Sequence, residues 1–483
     1  MGDTISLPYW LFILMSAMTL LLVLDRILLP GVRWYLRRRI NRVIAEVNTK
    51  LDIEIRPFQL TRKQALIDQL IFDDKVVEAI KQHASEQNMP IEVAQRQAMK
   101  YADEIVPRFN AYVYFRFGYW LARKLGHLIY RIRVGFFDNG ELKQIDNQSS
   151  VVFVMNHRSN MDYVLVSFLV AERTAISYAV GEWARVWLLQ TLIKSMGAFF
   201  VRRNSRNALY RRVLERYVNL STRAGVCQAV FLEGGLTRDG KLREPRLGFL
   251  DYMLRDYLVD RDRDIVFIPV GINYDRVLED KTLVRQLDDN AERRSRWFVL
   301  RTFVSFLIRI LRMKRKARWR RFGYASVNFG RPLSMRDYCH QQQIDLTRLE
   351  QEERFEQVEQ LAAELMQRIS LVVPILPVAL MAEVMLDNRG RARSALDIKA
   401  DAVQRVDELR ALGAPINVES SAFEPVLIAA LENLAGRGFV NETDGLYELD
   451  DDSVVILEYY ANSIDQWRQA QPPAETLHAV EAG

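Results

Sequence analysis

His157 and Asp162 stand five positions apart in the stretch Val-Val-Phe-Val-Met-Asn-His157-Arg158-Ser159-Asn160-Met161-Asp162-Tyr163. An aspartate held against one imidazole nitrogen fixes the tautomer and leaves the other nitrogen as a general base. That chemistry requires the two side chains to meet, and the flanking residues supply a way. The five apolar residues at 151–155, four of them β-branched or aromatic, predict a buried strand. The strand stops at Asn156, and a new apolar run at 163–170 follows Asn160, which reads as a helix N-cap. His157 then sits in a strand-to-helix crossing, where the carboxylate can fold back onto the ring. The spacing is common by chance, so a hydrogen-bonded loop histidine fits these residues equally well.

Composition narrows the alternatives. The chain has 483 residues, 49% of them hydrophobic and 27% charged, which predicts two to four folded domains rather than disorder. Cys227 and Cys339 lie far apart without a CxxC spacing, which excludes a disulfide scaffold and a cysteine zinc site. None of the five histidines has ligand spacing to another, so no metal is expected. The acidic run Asp450, Asp451 and Asp452 and the lack of a base-reading signature argue against nucleic acid.

The elements that must position the pair are read along the chain. Residues 8–24 are free of charge and can just span a bilayer core, with Arg33, Arg37, Arg38, Arg39 and Arg42 crowding one side. They predict a transmembrane anchor over 1–34, with the remainder cytoplasmic. A helical subdomain follows over 35–109, with helices at 61–84 and 91–105 divided by Pro90. Residues 110–137 interleave aromatics with Arg and Lys, as membrane-facing segments do. Residues 110–335 then alternate strands (151–155, 175–180, 198–201, 228–232, 265–270, 326–329) with helices (162–171, 183–195, 207–224), the pattern of an α/β mixed sheet flanked by helices. Within them, 297–321 sets Trp297, Leu300, Val304, Leu307 and Leu311 against Arg301, Arg309, Arg312 and Lys316. That stretch predicts an interfacial helix on anionic phospholipid. A C-terminal helical region covers 336–483, with a helix and hairpin at 422–449.

Three later strand ends are candidates to join His157, because ligands of open α/β sheets bind at strand ends. One closes with Arg202 and Arg203. Another is the turn Glu233-Gly234-Gly235, followed by Arg238 and Lys241, and the third is Ile268-Pro269-Val270, closing with Gly271 and Asn273. Guanidiniums suit phosphate, and glycine turns let backbone approach a ligand.

The order and spacing of these blocks resemble the glycerolipid acyltransferase family, in its glycerol-3-phosphate and dihydroxyacetone-phosphate acyltransferase branch. The blocks are His157-Arg-Ser-Asn-Met-Asp162, Gly197-Ala-Phe-Phe-Val-Arg202-Arg203, Phe231-Leu-Glu233-Gly234-Gly235 and Ile268-Pro269-Val270. The resemblance extends to 61–109, 327–332 and 456–463. It implies the glycerolipid acyltransferase fold, with His157 and Asp162 catalytic and with Arg158, Arg202, Arg203, Glu233, Gly234, Arg238 and Lys241 at the acceptor phosphate. It also implies a membrane enzyme with acyl-CoA or acyl carrier protein as donor and no cofactor. The acyl group would go to the sn-1 hydroxyl of glycerol 3-phosphate, with dihydroxyacetone phosphate or lysophosphatidic acid as alternative acceptors. The resemblance implies no acyl-enzyme on Ser159. In this branch the third block usually reads EGG-R-S/T-R, and Leu236 stands here in the first Arg position, which the family associates with acceptor phosphate. A catalytically weak lipid-binding scaffold is the rival of another class.

Overall fold

The computed structural model describes residues 9, 56–111, 113–136, 144–171, 174–180, 193–202, 205–287, 312–313, 321–416 and 420–468. Apart from Tyr9, the expected anchor at 1–34 lies outside them, as do nearly all of the expected interfacial helix at 297–321 and most of the expected helix at 183–195. No helix among the described residues is long and apolar enough to cross a membrane.

Helices α1 (Lys63–Ile71), α2 (Asp74–Glu86) and α3 (Ile91–Ile105) come first. The continuous helix expected over 61–84 is broken, because Asp73 accepts the Lys75 N–H and caps α2. Next are α4 (Tyr119–Ile129), β1 (Arg131–Phe136), β2 (Ser150–Met155), α5 (Met161–Ala171), β3 (Ser177–Val180) and β4 (Phe199–Phe200). Then α6 (Ala208–Arg223), β5 (Gln228–Phe231), α7 (Gly248–Leu254), β6 (Ile265–Tyr274), β7 (Tyr324–Phe329) and β8 (Leu333–Ser334) complete the sheet region. Asn207 caps α6 by accepting the Tyr210 N–H.

Among the described residues the main sheet has eight strands, in the order β1-β7-β6-β2-β5-β3-β4, with β8 beside β6. The run β6-β2-β5-β3-β4 is parallel, whereas β7 is antiparallel to β6, so the sheet is mixed. In β2, Val151, Phe153 and Met155 enter one hydrophobic core and Val152 and Val154 the other. The two-residue period of a strand produces this division, and helices over both faces bury all of β2. Helices α1–α3, α6 and α7 cover the second face, joined by α8 (Gln351–Val372).

The C-terminal elements cover the first face. They are α9 (Pro377–Asp387), β9 (Arg393–Ser394), α10 (Ala395–Ala411), α11 (Ser420–Ala435), the hairpin β10 (Val440–Thr443) and β11 (Leu446–Leu449), and α12 (Val454–Ala461). Pro377 starts α9 at a position where its missing N–H costs nothing, and nine consecutive residues of that helix are buried. One expectation is corrected. Gly271 does not turn the chain; β6 runs on to Tyr274, pairing with β7 beyond the end of β2. Its glycine permits close approach instead, because a Cβ there would lie 2.4 Å from the Val372 carbonyl oxygen at the end of α8.

Candidate active site

A side chain ends β2. Asn156 accepts the Ile272 N–H through Oδ1 at 2.8 Å and donates from Nδ2 to the Ile272 carbonyl at 2.9 Å. The amide thus stands in for a peptide unit against the extended end of β6, and the main chain is released to turn. His157 comes next, 1% exposed. Its ring stacks on Phe231, centroids 4.0 Å apart, and meets Tyr163 edge-on at 5.4 Å.

Nδ1 of His157 lies 2.9 Å from Asp162 Oδ2. The same oxygen accepts the N–H groups of Arg158 and Ser159 at 2.8 and 3.0 Å, and Oδ1 accepts the Tyr274 hydroxyl at 2.5 Å. Among the described residues every partner of this carboxylate is a donor. Nδ1 therefore carries the ring proton and Nε2 the lone pair. Among the described residues, Nε2 is buried without a hydrogen-bond partner.

The start of α5 departs from expectation. Ser159, not Asn160, caps it, its Oγ accepting the Met161 N–H at 3.1 Å and donating to Glu279 at 2.7 Å. Asn160 is drawn away by Glu279, to which its backbone N–H and side-chain Nδ2 donate at 3.2 and 2.9 Å. Burial raises the pKa of Glu279.

A second loop grips the His157 backbone from both sides. Glu233 accepts the His157 N–H at 2.8 Å and the Arg243 N–H at 3.1 Å, while the Thr237 N–H donates to the His157 carbonyl at 3.2 Å. Burial outweighs both donors and pushes the Glu233 carboxyl up to about 7. Gly234 makes the turn at φ 66°. Leu236 packs against the first core, and its carbonyl accepts from Arg243 Nη1 at 3.2 Å.

The expected phosphate-binding cations are dispersed. Arg158 is 2% exposed, donates from Nη1 to the Gly240 carbonyl at 2.6 Å, and lies 5.1 Å from the Tyr459 ring centre. Its Nε and Nη2 have no hydrogen-bond partner among the described residues. Arg202 leaves β4, three strands from β2, roughly 14 Å at the usual strand spacing. It is forked onto Glu104 at 3.0 and 2.6 Å, which ties it to α3. Lys241 pairs with Asp465 at 3.1 Å. Arg238 is exposed, and Arg203 lies outside the described residues. Tyr274, Glu279 and Tyr459 were not singled out from sequence as site residues. The only signal was their place in the apolar end of β6, the residues after it, and the block at 456–463.

This arrangement can remove a proton from a hydroxyl at Nε2 and, through Arg158, meet an anion. Residues 138–273 match the Acyltransferase family, and residues 307–466 match the family described as Glycerol-3-phosphate acyltransferase C-terminal region. A glycerol-3-phosphate acyltransferase of Xanthomonas campestris is 27% identical over 443 residues, covering 88% of this chain and 48% of the relative. One from Aeromonas hydrophila is 28% identical over 421 residues, covering 84% of this chain and 50% of the relative. The chain thus spans about half the length of the curated relatives it matches. The crystal structure of a 1-acyl-sn-glycerophosphate acyltransferase from Thermotoga maritima aligns with 52% of this chain and 76% of its own at 15% identity, with a TM-score of 0.27, too low to weigh. The dyad at the end of β2 and the glutamate turn that grips it thus lie in an Acyltransferase domain, followed by a region matching the glycerol-3-phosphate acyltransferase C-terminal family, in a chain similar over most of its length to glycerol-3-phosphate acyltransferases.

Proposed function

We propose that the protein transfers a fatty acyl group from a thioester, acyl-CoA or acyl carrier protein, to the sn-1 hydroxyl of glycerol 3-phosphate. The product is lysophosphatidic acid. The observation that carries this reading is the buried Nε2, unpartnered among the described residues, of a histidine whose Nδ1 is held by Asp162. The names of the relatives from Xanthomonas and Aeromonas support the acceptor. In the reaction, Nε2 takes the hydroxyl proton as the oxygen attacks the thioester carbonyl. The C–O bond forms, the C–S bond breaks, and the thiolate takes the proton back from the imidazolium. The Nε and Nη2 of Arg158, without a partner among the described residues, suit a phosphate, which accepts from a guanidinium fork. Arg238, exposed on the loop after Gly234, is the second cation for it, whereas Arg202 is committed to Glu104 and Lys241 to Asp465. No cofactor is required. The uncharged run at 8–24 and the cationic, apolar stretch at 297–321 support a membrane enzyme with its catalytic part on the cytoplasmic side.

The test is radiolabelled acyl transfer in anionic micelles, with glycerol 3-phosphate, dihydroxyacetone phosphate and lysophosphatidic acid offered in parallel. Glycerol 3-phosphate should turn over, and His157→Ala should lose about 100-fold or more of that rate. Turnover of lysophosphatidic acid alone would move the assignment to the next acylation. The absence of any His157-dependent turnover would leave the lipid-binding scaffold as the better reading.

A further inference from the structure

We propose that Tyr274 is a positioning residue of the His157–Asp162 pair, its hydroxyl fixing the carboxylate so that the imidazole keeps one orientation and one tautomer. The inference rests on the acyltransferase reading. Its basis is geometric. Asp162 is fully buried, and three of its donors come from the same turn and crowd onto Oδ2. Local hydrogen bonds of that kind leave the carboxylate free to pivot about them. The Tyr274 hydroxyl, on Oδ1 at 2.5 Å, is the contact that arrives from elsewhere, from the end of β6. The extension of β6 past β2 places it there, and its ring is wedged against Tyr130 with centroids 5.3 Å apart. Burial holds the phenol well above its ordinary range, so it remains a donor. The titratable groups facing Tyr274 are Asp162, Tyr130 and Glu279. Those acting on the pair from other elements are Glu233 and Arg158 beside His157, and Tyr459 on α12.

Tyr274→Phe keeps the ring and removes only the hydroxyl. A carboxylate deprived of that donor holds the imidazolium more strongly. Turnover should therefore fall about tenfold or more with KM within about twofold, and the acid limb of the pH–rate profile should move to higher pH. Tyr130→Phe, which loses a buried hydroxyl bonded to the Arg276 carbonyl at 2.6 Å, should leave the profile in place. Should Tyr274→Phe fail to fold, 3-fluorotyrosine at 274 keeps the hydroxyl but makes it a stronger donor, and the limb should move the opposite way. The same displacement is readable without turnover, by nitrogen-15 NMR titration of the His157 ring, assigned among five histidines by its loss in His157→Gln. If the parent protein transfers no acyl group, the functional reading fails and the NMR titration alone decides the role of Tyr274. A His157 midpoint and pH profile unmoved by either change at 274 would overturn the proposal.

Discussion

Among the described residues Glu233 accepts from two backbone N–H groups, those of His157 and Arg243, so its oxygens hold the histidine turn in shape. Its carboxyl titrates near 7 in the folded protein against an ordinary 4.5, with burial as the main cause. The folded state therefore binds this proton more tightly than the unfolded chain. The stabilising contribution is full below about 4.5 and is lost as pH rises through about 7, at most on the order of 3 kcal/mol. Denaturant midpoints measured at pH 5 and pH 7.5 should show the parent losing more stability with rising pH than Glu233→Gln. The reverse ordering would mean that the N–H donors, not burial, dominate. At this scale the sequence was informative where partners are neighbours: His157 and Asp162 are five positions apart, and the strand-to-helix crossing closes them. It was silent where partners are distant. Tyr274 reaches Asp162 across 112 positions, and Arg202 is taken by Glu104 across 98.

Between elements, α12 and the loop carrying Arg238 behave as one piece. Arg158 bridges them, bonded to the Gly240 carbonyl and lying against the Tyr459 ring. Asn462 donates to the Asp239 carbonyl at 2.9 Å, and Lys241 pairs with Asp465. Gly240 is what allows the contact. Its φ is 87°, and a Cβ would fall 1.9 Å from the Tyr459 carbonyl oxygen. Backbone meets backbone there, so no side chain can yield. Gly240→Ala should cost on the order of 3 kcal/mol, read as a fall in thermal midpoint, and should displace the loop. A variant as stable as the parent would mean that α12 is loosely held. Element patterns were legible where periodicity is strong, as in β2 and α6. The hairpin within 422–449 was legible as well, and its turn is made by Asp444 and Gly445, both of which take positive φ. The reach of β6 past Gly271 was not, because a glycine used for close packing against α8 reads as a turn.

Over the whole molecule, the two cores are each assembled from distant parts of the sequence. The first joins α4 and α5 to α9, α10, α11 and α12, and the second joins α1–α3 and α6 to α8. The mixed α/β class was legible from alternating strand and helix signals, whereas the layers were not, since pattern reveals a buried face but not what buries it. A chain ending at residue 335 leaves both cores open. Expressed alone, residues 1–335 should show no cooperative thermal unfolding transition, measured by circular dichroism against the full chain. The grip of α12 on Gly240 also sets an order of events during synthesis. The histidine turn emerges from the ribosome some 300 residues before Tyr459 and Asn462 do. Until those residues arrive, the loop around His157 lacks its last anchor, and the nascent chain must wait through a long-range closure that ranks among the slower steps of folding. A message cut short before α12 would thus yield a protein carrying every residue of the dyad and none of its finished geometry.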